Sequence, residues 1–195
     1  MSMPANPHSG MAPSPWIARF AYLVPAGARV LDLACGFGRH ARYFAARGAQ
    51  VLAVDRDAAA LATFAEIPGI DILQADLEGE PWPLGGQRFD AIVVSHYLHR
   101  PLFPNLRVAL KPDGTLLYET FAQGNEAHGR PSNPDFLLRP GELLAFAAAA
   151  PGALTVVAFE QGLVELTGRP AVMQRIAAIG PARAWPPVLD ASPAA

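Results

Sequence analysis

Val30-Leu31-Asp32-Leu33-Ala34-Cys35-Gly36-Phe37-Gly38 is the stretch on which the fold of this chain turns. Its first half belongs to a short apolar run over 29–33 that reads as a buried strand. Its second half is a glycine turn opening into a helix over about 39–47, which Gly48 closes. Glycine permits backbone conformations that other residues resist, and the start of a helix presents unpaired N–H groups to a ligand. A Gly-x-Gly alone is commonplace in turns. Here it lies between a strand and a helix, one unit before a second strand that ends at Asp55, and that context gives it meaning.

Outward from this loop the chain alternates. A second strand is expected over 50–54, a helix over 58–66 capped by Asp57, and a third strand over 70–74 ending near Asp76. Pro81, Pro83, Gly85 and Gly86 mark a loop before 89–94, an almost wholly apolar run suited to a central parallel strand. A helix over 103–110, a turn at Lys111-Pro112-Asp113-Gly114 and a fifth strand over 115–120 follow. Strand and helix in alternation mean a parallel sheet with right-handed crossovers. Upstream, Ser14 and Pro15 start a helix running to about Val24, with Trp16, Ile17, Phe20 and Leu23 on one face that could cover a pocket or a partner chain. Downstream, the pattern changes to a polar loop over 121–134, a helix over 141–150, and strands over 154–160 and 171–179. The turn residues Gly168-Arg169-Pro170 are too few for a crossover, so these last strands should pair antiparallel.

With 195 residues, 51% of them apolar, the chain can bury one substantial core, and a single domain is expected over 14–180. Residues 1–13 read as a disordered lead-in, and the Pro/Ala-rich stretch 181–195 as a loose tail. The formal net charge of -2 supplies no basic field for nucleic acid, and no apolar run is long enough to span a bilayer. With Cys35 the only cysteine, an intrachain disulfide is impossible, and a cytoplasmic protein is expected, monomeric or homodimeric. The histidines and acids form no H-x-x-x-H or H-E-x-x-H pattern, so no dedicated metal site is expected.

A carboxylate at the end of a second strand can accept hydrogen bonds from a ribose diol, which makes Asp55 a nucleotide-site residue. A nicotinamide dinucleotide would call for Gly-x-Gly-x-x-Gly, but Ala41 occupies the third glycine position. Asp32 beside the loop suits a cofactor that carries a cation.

These residues resemble the class I S-adenosylmethionine-dependent methyltransferases over roughly 16–179. In that resemblance, 30–38 is the first cofactor motif, Asp55 the ribose ligand and Asp76 the acid that meets the adenine amino group. It implies an α/β, Rossmann-like fold: a seven-stranded, mostly parallel sheet with an antiparallel last strand and helices on both faces. A narrower likeness, to the small bacterial tellurite-resistance-type methyltransferases, rests on four stretches. They are Ala34-Cys35-Gly36-Phe37-Gly38-Arg39-His40, Tyr97-Leu98-His99-Arg100, Tyr118-Glu119-Thr120-Phe121 and the segment from Asn133 to Leu143. Ser95 stands where many members carry Asn or Asp.

The implied cofactor is S-adenosylmethionine, leaving as S-adenosylhomocysteine. Its expected wall comprises Asp32, Ala34, Cys35, Gly36, Phe37, Gly38, Asp55, Arg56, Asp76, Leu77 and Ser95, with Ile72 and above all Leu77 giving apolar contact to the adenine. Methyl transfer needs alignment, and a base only if the nucleophile arrives protonated; His96, His99 and His128 are the candidates, with Tyr97 beside them. Arg39, His40, Arg100, Tyr118 and Glu119 are candidates for binding a small-molecule or oxyanion substrate. A cysteine at a helix entry can be acidic, but Cys35 has no partner for nucleophilic work and is expected to pack. Two other readings remain open: an NAD(P)-dependent oxidoreductase, and a non-catalytic module that retained the fold.

Overall fold

Bounded by Gly27 and the glycine loop, the run Arg29–Leu33 has no room for a helix and forms β1, buried on both faces from Val30 onward. A computed structural model describes residues 12–79, 81–150, 152–166 and 168–188; most of the expected lead-in, and the tail beyond 188, lie outside the described residues. β1 pairs in parallel with β2 (Gln50–Asp55) on one side and β4 (Phe89–Ser95) on the other. β3 (Ile70–Gln74) and β5 (Leu110–Phe121) extend the parallel sheet outward. β7 (Arg169–Ile179) runs antiparallel to both β5 and β6 (Thr155–Leu166), giving the order β3-β2-β1-β4-β5-β7-β6. The seven-stranded sheet with an antiparallel last strand is as the resemblance implied. Strand order reverses between β1 and β4, and open α/β sheets bind ligands outside the C-terminal ends of strands at such a switch point.

Alternate residues of the central strands feed two cores. On one face, Val30, Val51 and Val93 pack with Trp16, Ile17 and Phe20 of α1 (Pro15–Phe20), Phe44 of α2 (Arg39–Ala46) and Leu61 of α3 (Ala58–Ala62). On the other, Leu31, Leu33, Ile92 and Val94 pack with Leu106 of α4 (Phe103–Ala109) and with Leu143 and Phe146 of α5 (Glu142–Ala148). The apolar face of α1 therefore covers the sheet. None of its residues lines the cavities described below. No described helix is long and apolar enough to cross a membrane.

Several boundaries differ from expectation for local reasons. α3 stops at Ala62 rather than near 66: the Thr63 hydroxyl donates back to the Ala60 carbonyl, and Arg42 donates to the Thr63 carbonyl. The N-terminal helix tightens into a 3-10 turn at Ala21–Leu23, where Thr115 Oγ1 donates to the Leu23 carbonyl. β6 runs on to Leu166 because an edge ladder with β7 satisfies the backbone whatever the polarity of its outward side chains. The tail is anchored at its start: Gly180 N–H donates to Gly114 O, Ala182 N–H to Pro112 O, and Arg183 to Thr115 Oγ1. Gly180 is required there, since a Cβ would fall 2.1 Å from the Pro112 carbonyl oxygen.

Candidate cofactor and acceptor site

The loop after β1 is held open by its backbone. Ala34, Gly36 and Gly38 all take left-handed conformations, at φ of 54°, 53° and 71°. Cys35 N–H donates to the Val54 carbonyl at 3.1 Å and Gly38 N–H to the Cys35 carbonyl at 3.0 Å. At Gly38 a Cβ would lie 2.7 Å from the Phe64 ring, so packing as well as φ demands glycine; at Gly36 a Cβ would meet nothing within 4 Å.

Two carboxylates brace this loop in different ways. Asp55 takes the Gly36 N–H on Oδ2 at 2.7 Å and the Asp57 N–H on Oδ1 at 3.0 Å, and its side chain still reaches the cavity. Asp32, 1% exposed, accepts the Ala41 N–H at 2.8 Å and so anchors the first turn of α2. Burial pushes its pKa up to about 7, against the lowering by the Ala41 N–H and the Arg39 charge. Asp32 thus braces the loop from beneath and does not line the cavity, which corrects its place in the expected cofactor wall.

A cavity of about 380 Å³ opens at the C-terminal ends of β1 to β4. Ala34 lines it after β1, Asp55 and Arg56 at β2, Ala75, Asp76, Leu77 and Glu78 after β3, and His96 and Tyr97 after β4. Phe136 closes its far side. Of the expected cofactor residues, Ala34, Asp55, Arg56, Asp76 and Leu77 are brought together here. Cys35, Gly36, Phe37, Gly38, Ser95 and Ile72 are not among its lining residues. Cys35 is buried, and that burial, followed by the Asp32 and Asp55 charges, pushes its thiol up, so it packs rather than reacts.

A second cavity, of about 240 Å³, shares Glu78, His96, Tyr97 and Phe136 with the first and adds Leu98, Thr120, Phe121 and Pro131. His96 sits at the junction in a left-handed conformation, φ 57°, with its N–H donating to the Glu119 carbonyl and its ring centroid 5.1 Å from that of Phe121. Desolvation by the surrounding protein, then the Arg39 charge, hold its imidazole below the ordinary value. Tyr97 is pushed up by its own burial and by Glu78 and Asp76, so its phenol stays protonated.

The other expected catalytic and substrate residues are engaged elsewhere. His99 and His128 line neither cavity; His128 lies exposed after the 3-10 turn Asn125–Ala127. His40 is buried, its Nε2 accepting the Ser14 N–H at 3.2 Å, and burial with the Arg39 and His96 charges holds it down to about 3. Tyr118 is buried, donating to the Tyr97 carbonyl at 2.9 Å. Arg39 donates to Ser95 Oγ at 2.8 Å, and Ser95 in turn donates to buried Glu119, whose other oxygen faces Arg175 at 3.5 Å. Arg100 is consumed by the Glu142 carboxylate and by the carbonyls of Asp135 and Leu137.

Ala75, Glu78, Leu98, Thr120, Phe121, Pro131 and Phe136 line the cavities and are not among the individually expected site residues. The hydrogen bond from Glu78 N–H to Asp76 Oδ1 is the one local sign that Glu78 belongs with Asp76. Phe136 has no local sign. It is delivered by the Arg100 clamp and by a bridge between Ala122 and Leu138.

Residues 30–114 match the family model described as a methyltransferase domain. That match takes in the glycine loop, Asp55 and Asp76 and covers less than half of the chain. Solved structures share the methyltransferase fold. TehB from Haemophilus influenzae superposes with a TM-score of 0.69 at 18% identity, over 84% of this chain and 60% of that one, so the chain spans about 60% of TehB's length. An S-adenosylmethionine-dependent methyltransferase from Mesorhizobium loti gives 0.63 at 21% identity, covering 82% and 95% of the two chains. The 1,6-didemethyltoxoflavin-N1-methyltransferase of Burkholderia thailandensis, holding 1,6-didemethyltoxoflavin and S-adenosylhomocysteine, gives 0.62 at 21% identity over 84% and 75%. No curated protein matches the sequence significantly. The match favours S-adenosylmethionine over a dinucleotide as the ligand to be tested at this site. The larger cavity suits it: three carboxylates, Asp55, Asp76 and Glu78, against the single cation Arg56 match a cofactor with a sulfonium charge, a ribose diol and an adenine amino group.

Proposed function

We propose that the protein methylates a small-molecule acceptor bound in the smaller cavity, with the cofactor held in the larger one. The observation that carries this reading is the shared wall: His96 and Tyr97 border both cavities, so ligands in the two would meet beside them. In the proposed site Asp55 accepts from the ribose diol, Asp76 from the adenine amino group, and Leu77 packs against the base. S-adenosylmethionine supplies a methyl group already activated by its sulfonium leaving group, so alignment provides much of the rate. His96, kept below the ordinary histidine value, is neutral at pH 7 and can take the proton that a protonated nucleophile must lose. Small organic molecules and oxyanions both enter this reading as acceptors. The Burkholderia neighbour's bound 1,6-didemethyltoxoflavin supports the organic one.

Calorimetry with S-adenosylhomocysteine tests the cofactor half. The wild-type protein should bind it, and Asp55→Ala should lose at least tenfold in affinity, about 1.4 kcal/mol or more, with its circular dichroism unchanged. His96→Ala should keep that affinity and lower turnover by about 10²-fold or more at neutral pH, the range of a positioned base. Failure of the folded wild-type chain to bind S-adenosylhomocysteine would sink the proposal.

A further inference from the structure

Resting on the methyl-transfer reading of this site, we propose that the acceptor is an uncharged, flat ring compound rather than an oxyanion or a carboxylate. Half of the residues around the smaller cavity carry aromatic rings: His96, Tyr97, Phe121 and Phe136. Aromatic walls hold a planar ring by stacking and edge contacts, and against an anion's lost hydration this wall sets only the neutral hydroxyls of Tyr97 and Thr120. Among the described residues, no lysine or arginine lines this cavity.

Three nearby guanidiniums, and the neutral imidazole of His40, are turned to other work. The guanidinium of Arg100 is spent on Glu142 and two carbonyls, and Arg39 donates to Ser95. Arg175 faces Glu119 and Glu160, and His40 is buried against Ser14. Among the described residues, the formal charge on the wall is the Glu78 carboxylate, which repels an incoming anion. A neutral His96 adds no positive charge and leaves a base for an acidic ring O–H or N–H. In the transfer the ring oxygen or nitrogen bonds to the methyl carbon, the carbon–sulfur bond breaks with its electron pair going to sulfur, and the ring proton passes to His96 and then to water. The cavity volume, about 240 Å³, falls below the ~300–1,000 Å³ of pockets for drug-sized ligands, which points to one or two fused rings.

The test uses the full chain saturated with S-adenosylhomocysteine, titrated calorimetrically with quinolin-4-ol, 2-naphthol, benzoate and selenite. The same four compounds are then assayed for methylation with S-adenosylmethionine. The neutral rings should bind at least tenfold more tightly than benzoate and should be methylated in preference to selenite. Glu78→Gln should narrow the gap between benzoate and the neutral rings. Phe121→Ala should weaken the rings about tenfold. If S-adenosylhomocysteine binds while the rings do not, or while selenite or benzoate is preferred, the ring inference is overturned and the methyl-transfer reading stands. If S-adenosylhomocysteine itself fails to bind, both fall.

Discussion

Asp32 and His40 respond to pH in opposite senses over the same range. Asp32 moves from the ordinary 3.8 up to about 7, so between these values the folded chain holds a proton that the unfolded chain has released, and stability falls as pH rises. His40 moves from 6.5 down to about 3, so between these values the unfolded chain holds the extra proton. Its contribution is complete above 6.5 and is lost as pH falls toward 3. Each is worth up to about 1.4 kcal/mol per pH unit, and over pH 4–6.5 the two oppose each other. Asp32→Asn keeps an acceptor for the Ala41 N–H and should expose the His40 dependence, with melting temperature rising from pH 4.5 to 6.5. His40→Gln should expose the reverse slope. Two variants with parallel slopes would contradict these assignments. Asp32 was legible in sequence as an acid beside the loop, but its direction was not, because a strand residue's face depends on what packs over it.

At the level of elements, the segment that completes the smaller cavity is fastened rather than loose. Asn125, buried, donates to the Pro131 carbonyl and accepts the Val172 N–H, and Leu138 N–H donates to the Phe121 carbonyl. Arg100 then ties the carbonyls of Asp135 and Leu137 to the start of α5 through Glu142. Arg100→Met should therefore cost about 1–3 kcal/mol through the unpaired carbonyls and carboxylate. Its larger effect should be local: amides over 134–142 should exchange faster by hydrogen-exchange mass spectrometry while those of β1, β2 and β4 keep their protection. The same variant should raise the acceptor KM and should weaken S-adenosylhomocysteine less than Asp55→Ala does. Unchanged exchange over 134–142 would mean the clamp is not what holds Phe136 in place.

Across the whole molecule, a row of alternating charges crosses the sheet at one level. Arg39 donates to Ser95, Ser95 to Glu119, and Glu119 faces Arg175, which faces Glu160, which in turn accepts from Arg19 on α1 at 3.1 Å. The row exists because Ser95, Glu119, Arg175 and Glu160 occupy paired register positions on four neighbouring strands. Its interior and its end should differ in worth. Glu119→Gln removes a buried charge from between two cations and should destabilise by about 3 kcal/mol, whereas Arg19→Ala, at an exposed pair, should stay within about 1 kcal/mol. Chemical denaturation of the two variants checks this; equal losses would show that the buried link carries no special weight.

The sequence by itself determined β1, the glycine loop and α2, the carboxylates Asp55 and Asp76 at the ends of their strands, and the antiparallel return of β7. Each depends on apolar period, turn chemistry or a strand's own end, which are local properties. Only the tertiary structure decided where the cations point. Arg100 and His40 look like anion ligands in sequence, yet one meets a carboxylate 42 residues away and the other an N–H 26 residues away. It also decided that Phe121, Pro131 and Phe136 wall the second cavity, since those contacts come from chain crossings that no spacing encodes. In the proposed reading, local sequence around the loop after β1 points to the methyl donor, whereas the acceptor's chemistry rests on the tertiary contacts around His96.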